Sequence, residues 1–383
     1  MAKMLDGVTV LDMGAFITGP AAGMLLADLG AEVIKIEQPE TGDPFRAFKG
    51  GLYSPHFQSY NRNKKSVTLN TKKPADLAAF DELVSGADVF IQNFRPGVAE
   101  RLSVGPQRLQ AINPALIYCS ISGFGPDGPD AERPAFDTVA QAASGFLRLL
   151  INPAHPRVVG PAVADAITGF YGALGVLAAL HERNKTGRGR LVETSMLEAM
   201  CHFNIDDFTH YLSAGEVMGP FSRPHVSQSY VFDCADGLQL ALHMSSPPKF
   251  WENLAEAVGM PDMLSWPEFA DRNARIANYE KVHARLAPVF KTRTRADWCA
   301  QLTRLEVPHA PLNTAPEALD SAQARHLNLT VETTHPTMGR FRTIRSPLSF
   351  DGERALTVTA PPVLGEHNDA ILGAPRATAT AAE

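Results

Sequence analysis

Cysteine is scarce in this chain of 383 residues. The four cysteines lie far apart, at Cys119, Cys201, Cys234 and Cys299. Because neither a Cys-x-x-Cys pair nor a Cys/His metal-ligand spacing is present, we expect no metal site. A disulfide framework is not expected in so long a chain, which favours a reduced, cytoplasmic protein.

The sequence also lacks a basic excess and a long hydrophobic run. Its 35 Lys+Arg against 41 Asp+Glu give a net charge of -6, so there is no global basic field for nucleic acid. The longest apolar run, residues 170–180, is too short to span a bilayer, and the first residues lack the layout of a signal peptide. We therefore expect neither a nucleic-acid nor a membrane partner. A Gly-x-Ser-x-Gly elbow is absent, which argues against a serine hydrolase of that class.

Short apolar runs alternate with helical patterns in the first half of the chain. Buried strands are predicted at residues 8–12, 32–37, 88–91 and 116–121. Helices are predicted between them and at 170–180. This alternation favours an α/β fold whose large domain is a doubly wound parallel sheet, with ligands bound at the carboxyl ends of the strands.

The length of the chain suggests a second domain. Glycines and prolines within residues 204–224 predict a linker. A hairpin near 230–242, followed by three helical patterns, predicts a smaller α+β domain over residues 225–325. The large domain then covers residues 1–203, and strand-like sequence returns after residue 330.

Asp165 is the one carboxylate in the run 160–169, immediately before the apolar stretch. Aspartate is a favoured helix N-cap, because its carboxylate accepts the free N–H groups of the first turn. The same carboxylate, if it attacks an acyl group, is a covalent nucleophile. A helix N-terminus stabilises an anion, so we expect Asp165 to be ionised at neutral pH. The pattern alone leaves the cap and the nucleophile open.

Other segments suggest a ligand rich in phosphate. Gly14, Gly19 and Gly23 follow the first strand, but their spacing differs from the dinucleotide-binding motif Gly-x-Gly-x-x-Gly. This argues against a nicotinamide-dependent dehydrogenase. Arg95 and Arg101 follow the third predicted strand, where cations suit an anionic ligand. The basic cluster 61–65 with 72–73, and the glycine-rich loop 122–129, are either binding segments or ordinary surface.

Taken in order, nine segments resemble the class III CoA-transferases, the CaiB/BaiF family that includes formyl-CoA and carnitine CoA-transferases. The matching segments are residues 5–12, 19–20, 29–37, 61–66, 93–97, 122–125, 164–165, 185–189 and 364–368. The resemblance implies an interlinked homodimer, in which residues 326–383 complete the large domain.

The resemblance also implies a mechanism and a set of site residues. The family's nucleophilic aspartate falls on Asp165, which would attack an acyl-CoA thioester and pass CoA to a carboxylic acid. Since one thioester replaces another, no cofactor or metal is needed, and coenzyme A is part of the substrate. The family's CoA-binding positions fall on Phe16, Ile17, Leu69, Asn70, Thr71, Lys72, Asn93, Phe94, Arg95, Arg101, Phe136 and Asp137.

Two positions depart from the family pattern. Gln38 stands where relatives often carry an arginine after the second strand. The run of consecutive glycines found in formyl-CoA transferase is missing near residues 242–247, which weakens oxalate as the acceptor.

Two alternatives and four unassigned residues remain. An acyl-CoA racemase of the same superfamily needs a histidine where this chain has Phe136, and phenylalanine cannot act as a general base. A CoA-binding protein without catalysis would need Asp165 only as a cap. Polar residues at the start of the small domain either meet the acyl group or the acceptor, or are plain surface: Arg223, His225, Ser227 and Gln228.

Overall fold

The computed structural model describes residues 4–245 and 247–373, which divide into two compact units. The first unit comprises the described residues of Met1–Leu147, Val158–Ile205 and His326–Glu383. The second comprises Arg148–Arg157 and the described residues of Asp206–Arg325. Ser246, in the stretch where the family's glycines are missing, lies outside the described residues.

The first unit is built on a parallel sheet of six strands, so the predicted α/β class is confirmed. The strands are β1 Thr9–Asp12, β2 Glu32–Glu37, β3 Lys64–Thr68, β4 Val89–Gln92, β5 Ile117–Ser122 and β6 Leu191–Ser195. Their spatial order is β3-β2-β1-β4-β5-β6. The order reverses between β1 and β4, and the crevice at their carboxyl ends is where such sheets bind ligands.

Helices cover both faces of this sheet. They are α1 Thr18–Asp28, α2 Pro55–Tyr60, α3 Pro74–Gly86, α4 Val98–Arg101, α5 Pro106–Ile112, α6 Asp137–Ala143, α7 Val163–Thr186 and α8 Met196–Phe203. Helices α1 and α7 pack on one face with Val10, Ile91 and Ile121, and α3 and α5 pack on the other with Leu11 and Phe90.

Helix α7 is longer than the predicted 170–180. By length and composition alone it is the one helix among the described residues that passes as a membrane span. Its buried side chains, including Ala173 and Val176, pack against the sheet and α1. A Cβ at Gly169 would lie 2.8 Å from Ala21 Cβ and 2.9 Å from Thr18 O, so glycine allows the two helices to touch.

The second unit is α+β. Its helices and those bordering it are α9 Ile205–Ala214, α10 Ser222–Ser227, α11 Pro248–Ala257, α12 Arg272–Ala277, α13 Tyr279–Phe290, α14 Arg295–Arg304, α15 Ala315–Asp320 and α16 Ala322–His326. Strands β7 Ser229–Asp233, β8 Gln239–His243 and β9 His309–Pro311 form an antiparallel sheet. Its core contains Phe232, Phe290 and Trp298. Helix α9 and part of α10 occupy the stretch predicted as linker.

The C-terminal segment returns to the first unit. It contains the antiparallel pairs β10 Thr330–His335 with β11 Gly339–Ile344 and β12 Ser349–Phe350 with β13 Glu353–Arg354, and then α17 Asn368–Leu372. Residues 365–368 lie along the edge strand β3, where the His367 N–H donates to Ser66 O at 2.9 Å. The Thr68 N–H donates to Asn368 Oδ1 at 2.8 Å. This segment therefore covers an edge that would otherwise be open to pairing.

Candidate active site

The loops after β1 and β4 are joined at the point where the strand order reverses. Asn93 Oδ1 accepts the Ala15 N–H at 2.8 Å, and its Nδ2 donates to Ala15 O at 2.7 Å and Thr18 Oγ1 at 2.8 Å. Two of the predicted segments, Phe16-Ile17 and Asn93-Phe94-Arg95, are thereby brought together. The crevice they border is the natural ligand site of this sheet.

The N-terminus of α7 is capped by Asp137 and not by Asp165. The N-cap residue is Ala162, which offers no side-chain acceptor, and Asp165 lies inside the first turn. Asp137 Oδ1 accepts the Ala164 N–H at 2.8 Å and the Asp165 N–H at 3.3 Å. Gln141 Nε2 donates to Asp137 Oδ2 at 2.6 Å and so orients this carboxylate. The cap interpretation of Asp165 is therefore wrong.

The Asp165 carboxylate is partly buried, and none of the described residues donates a hydrogen bond to its oxygens. Burial, reinforced by the neighbouring negative charge of Asp137, raises the pKa of Asp165 to about 7. This direction is opposite to the one expected from the helix N-terminus. Burial and the Asp137 charge therefore outweigh the helix N-terminus, whose Ala164 and Asp165 N–H groups donate to Asp137.

Aromatic rings surround the entrance to this helix end. Phe16 packs edge-on against Phe45 at 5.3 Å and against Phe136 at 5.7 Å between ring centroids. Tyr60, like Phe16, packs against the small buried cluster that contains Ile17, Phe45 and Phe57. Burial raises the pKa of Tyr60, and the charges of Asp165 and Asp137 add to the effect, so the phenol lies within the field of both carboxylates. Sequence reasoning missed Tyr60, because a single tyrosine beside a basic cluster carries no pattern.

The predicted cations after β4 lie on exposed loop and helix positions. Gly97, with φ +77°, is the N-cap of α4 and separates Arg95 from the helix that carries Arg101. A Cβ at Gly97 would lie 3.2 Å from Arg101 Nη1, so the arginine folds back over the loop. Both arginines are exposed, and neither has a salt bridge within the described ranges. They are therefore available to an anionic ligand.

The segment after β3 also ends at this edge of the sheet. Leu69 and Thr71 are buried, whereas Lys72 is exposed. Asp76 accepts the Asn70 N–H at 2.9 Å, and Asn70 Oδ1 accepts the Lys72 N–H at 3.1 Å. These bonds fix the turn from which Lys72 projects.

The basic cluster 61–65 is structural. Lys64 is buried in β3, where its Nζ lies 2.7 Å from Asp12 Oδ2. Arg62 is paired with Asp28, Nε to Oδ1 at 3.0 Å, and Lys65 is paired with Glu32. The hypothesis that this cluster binds phosphate is wrong for Lys64 and Arg62, because enclosed acidic side chains already pair with them, whereas the pair of Lys65 is exposed.

The glycine-rich loop after β5 places the segment that leads to Phe136. A Cβ at Gly123 would lie 2.5 Å from Ala135 Cβ, so only glycine allows the two backbones to pass. Gly125, at φ +111°, donates its N–H to Ser122 Oγ at 3.0 Å.

The four polar residues left open in the second unit have separate roles. Gln228 is buried, donates to Ser245 O at 3.1 Å and accepts from Arg275 Nε at 2.8 Å. Ser227 donates to Arg223 O at 2.8 Å, and Arg223 forms an exposed ion pair with Asp206 at 2.7 Å. His225 packs on the Tyr279 ring at 4.1 Å between centroids. Gln228 and Ser227 thus hold local backbone.

No group of three or more metal-ligating side chains is present in residues 4–245 and 247–373. All four cysteines are free thiols.

Comparisons with known proteins agree on one family. The model of CoA-transferase family III matches residues 5–368. The chain is 32% identical to formyl-CoA:oxalate CoA-transferase of Streptomyces avermitilis over 96% of this chain and 94% of the relative. It is 30% identical to succinyl-CoA:glutarate CoA-transferase of Mus musculus over 97% of this chain and 86% of the relative. A solved CAIB/BAIF family protein from Brucella suis superposes with a TM-score of 0.85 at 30% identity, covering 96% of this chain and 98% of that one.

Proposed function

The chain belongs to CoA-transferase family III, and we propose that it carries CoA from an acyl-CoA thioester to a carboxylic acid through covalent attack by Asp165. The family model and the named relatives confirm the resemblance that the sequence motifs indicated. Membership of this family makes the protein an enzyme that acts on an acyl-CoA and a carboxylate acceptor. The mechanism, the site residues and the particular substrates are the proposal.

The proposed reaction has two symmetrical halves. The Asp165 carboxylate oxygen attacks the thioester carbonyl, which forms a mixed anhydride and releases the CoA thiolate. The thiolate attacks the aspartyl carbonyl, which forms an aspartyl-CoA thioester and releases the donor acid. The acceptor carboxylate then attacks this thioester, and the released thiolate takes the acceptor acyl group from the new anhydride. Because every thioester is replaced by another, no ATP, metal or cofactor is required.

The observation that carries this proposal is the Asp165 carboxylate itself. It is partly buried at a helix end, yet it caps nothing and accepts no hydrogen bond from the described residues. A carboxylate stripped of donors is a better nucleophile than one held by them, and strong perturbation of a pKa beside a ligand crevice is typical of a catalytic group. A CoA-binding protein without catalysis would need Asp165 only as a helix cap. Because Asp137 supplies that cap, this alternative no longer explains Asp165.

The proposed CoA site uses the groups that border the same crevice. Arg95, Arg101 and Lys72 would meet the phosphates, since exposed cations that form no salt bridge with the described residues suit them. The aromatic pair of Phe16 and Phe136 would meet the acyl-pantetheine arm. Asp137 would orient the helix end, not exchange protons, because its carboxylate is held by two N–H groups and Gln141. This geometry gives an acyl-CoA racemase no supporting observation.

The proposed acceptor is a dicarboxylic acid. Both relatives compared are named for one: oxalate in the Streptomyces enzyme and glutarate in the mouse enzyme. The missing glycine run weakens oxalate and favours a longer diacid such as succinate or glutarate. We also infer a homodimer in the cytoplasm. In support, α9 carries the exposed apolar side chains Tyr211 and Leu212, and exposed apolar helix faces are typical of interaction sites.

Trapping of the intermediate tests the proposal. The protein is incubated with a panel of acyl-CoAs, quenched with hydroxylamine and mapped by peptide mass spectrometry. We expect a modification on the peptide that contains Asp165, and none in Asp165→Asn. Asp81→Asn is the matched control, because Asp81 is ion-paired with Arg108 and is not one of the residues assigned to the site. Transfer of CoA without any adduct at Asp165 would exclude the nucleophile. α-Proton exchange in heavy water without CoA transfer would instead support the racemase.

A further inference from the structure

Side chains hold five backbone polar groups of the loop between β1 and α1. Gly14 N–H donates to Asp12 Oδ1 at 2.9 Å, and Gly14 O accepts from Lys35 Nζ at 2.8 Å. Asn93 holds both polar groups of Ala15. Phe16 N–H donates to Asp43 Oδ1 at 3.2 Å. Loops at a protein surface are rarely fixed at every residue, so this one is built to keep a single conformation.

Three of these holding groups are ionic and fully enclosed. The relative exposures of Asp12, Lys35 and Asp43 are 0%, 0% and 4%. Lys35 Nζ lies 2.9 Å from Asp43 Oδ2, and it also donates to Gly14 O, so it joins the Asp43 carboxylate to the loop backbone. Burial would lower the pKa of Lys35, but the charges of Asp43, Asp12 and Glu37 outweigh it and raise the pKa. The ammonium is therefore charged, and it holds the loop as an ion.

A buried ion pair is a weak source of stability, since well-packed apolar residues of the same volume often stabilise as well or better. Its presence beneath a ligand crevice therefore needs another reason. The packing of Phe16 supplies one, because its ring meets Phe45 and Phe136 from the backbone position in which the loop holds it.

Phe16 itself has an unfavourable backbone conformation. Its φ is +62°, in the left-handed region that bulky residues seldom adopt. Such residues persist where their surroundings force the conformation, and they cluster at functional sites. The hydrogen bond to Asp43 fixes the Phe16 N–H.

We propose that Asp43, which is paired with Lys35, is a positioning residue that holds Phe16 in its left-handed conformation for binding of the CoA thioester. This inference rests on the proposed function, in which Phe16 contacts CoA. Asp43 itself does not touch substrate. It acts through the backbone of Phe16, and Lys35 acts through Gly14 and Asp43.

A double-mutant cycle between Asp43 and Phe16 separates positioning from a structural role. Coenzyme A binding is measured by calorimetry for the native protein, Asp43→Asn, Phe16→Gly and the double variant. We expect Asp43→Asn to weaken binding about tenfold, in line with loss of a charged buried contact. Glycine adopts φ +62° without support, so Asp43→Asn should change binding less than about twofold in the Phe16→Gly protein. Equal losses in both backgrounds would overturn the proposal.

Asp28→Asn is the matched control. Asp28 is also buried and ion-paired, but its partners are Arg62 and Asn63, remote from residues 13–17. It should leave CoA binding within about twofold of native. Loss of binding equal to that of Asp43→Asn would mean that general damage to buried ion pairs explains both.

Hydrogen exchange gives a reading that does not depend on CoA. The peptide containing residues 14–18 should exchange faster in Asp43→Asn than in the native protein or in Asp28→Asn. Unchanged exchange would overturn the positioning role even if binding fell. If the native protein fails to bind CoA while this peptide loses protection as expected, the proposed function fails and the loop-holding role of Asp43 stands.

Discussion

The Asp137 carboxylate lies 3.3 Å from the backbone nitrogen of Asp165 and 2.8 Å from that of Ala164. Asp137 therefore satisfies the end of α7, and Asp165 lies in the same turn with no hydrogen bond to its oxygens from the part of the chain that the structure describes. Burial and the repulsion between the two negative charges raise the pKa of Asp165 to about 7. The first two predictions concern this raised pKa.

Activity should rise with pH through the pKa of Asp165. Only the deprotonated carboxylate can attack, so kcat/KM should increase as the pH passes about 7 and reach a plateau above it. Asp137→Asn keeps an oxygen to accept the N–H groups but removes the negative charge. The midpoint should then move to lower pH. A pH–rate profile for each protein checks this, and an unshifted midpoint in Asp137→Asn would show that the two carboxylates are not coupled.

Asp165 should destabilise the folded protein at high pH. Its folded pKa of about 7 lies above the ordinary value of 3.8, so the destabilisation is absent at low pH and grows as the pH rises from about 4 to 7. Asp165→Asn should therefore be more stable than native by about 2 kcal/mol at pH 8, after allowance for its partial exposure. The difference should vanish near pH 4. Thermal unfolding at both pH values measures it, and a destabilised Asp165→Asn at pH 8 would contradict the argument.

Adjacent lysines of β3 should differ sharply in their importance. Lys64→Met leaves the enclosed Asp12 carboxylate without its partner, and such a change costs about 3–5 kcal/mol of unfolding free energy. Lys65→Met breaks an exposed pair with Glu32 and should cost less than about 1 kcal/mol. Denaturant unfolding of the two variants makes the comparison. Similar losses would mean that Lys64 is not held as an ion.

Alanine should have opposite effects on stability at two helix glycines, one in the close contact of α7 with α1 and one in open space on α3. Gly169→Ala would place a methyl group 2.9 Å from the carbonyl oxygen of Thr18 and should cost about 1–3 kcal/mol. Gly86, in α3, has no atom within 4 Å of the site of a Cβ, so Gly86→Ala should stabilise by about 0.4–1 kcal/mol. Melting temperatures should move in opposite directions. A neutral Gly169→Ala would show that α7 can shift without loss.

Arg101 should contribute to CoA binding through the phosphates. Arg101→Ala should raise the Kd for coenzyme A about tenfold and raise KM more than it lowers kcat, since the contact is made in both ground and transition states. Arg108→Ala is the control, because Arg108 is occupied by Asp81 at 2.7 Å. Calorimetry and steady-state kinetics distinguish them. Equal effects of the two changes would remove Arg101 from the phosphate site.

The central strands could be predicted from the sequence because they are continuous apolar runs. β1, β2, β4 and β5 fall within about one residue of the predicted segments. β3 could not, since its Lys64 looks like a surface charge until Asp12 of a different strand is known to face it. β6 could not be predicted either, because Glu193 and Thr194 interrupt its apolar pattern.

The ordered motifs identified the family, which the comparisons confirm. They assigned Phe16 and Asn93 to one CoA site, and the structure joins the loops that carry these residues through the bonds of Asn93 with Ala15. They could not show that Asp137, 28 residues before Asp165 in the chain, caps α7. That assignment depends on how α6 and α7 meet in space. The homodimer and the individual site residues stay predictions.

Oxygen transfer onto Asp165 is the most direct test of the central claim. The enzyme is incubated in ordinary water with unlabelled succinyl-CoA and with succinate whose carboxylates carry ¹⁸O. The mass of the peptide containing Asp165 is then measured by mass spectrometry. When the acceptor carboxylate passes through the aspartyl anhydride, it leaves one of its oxygens on the aspartate. We predict ¹⁸O in the Asp165 carboxylate after turnover. Formation of labelled succinyl-CoA with no ¹⁸O on that peptide would contradict covalent catalysis by Asp165.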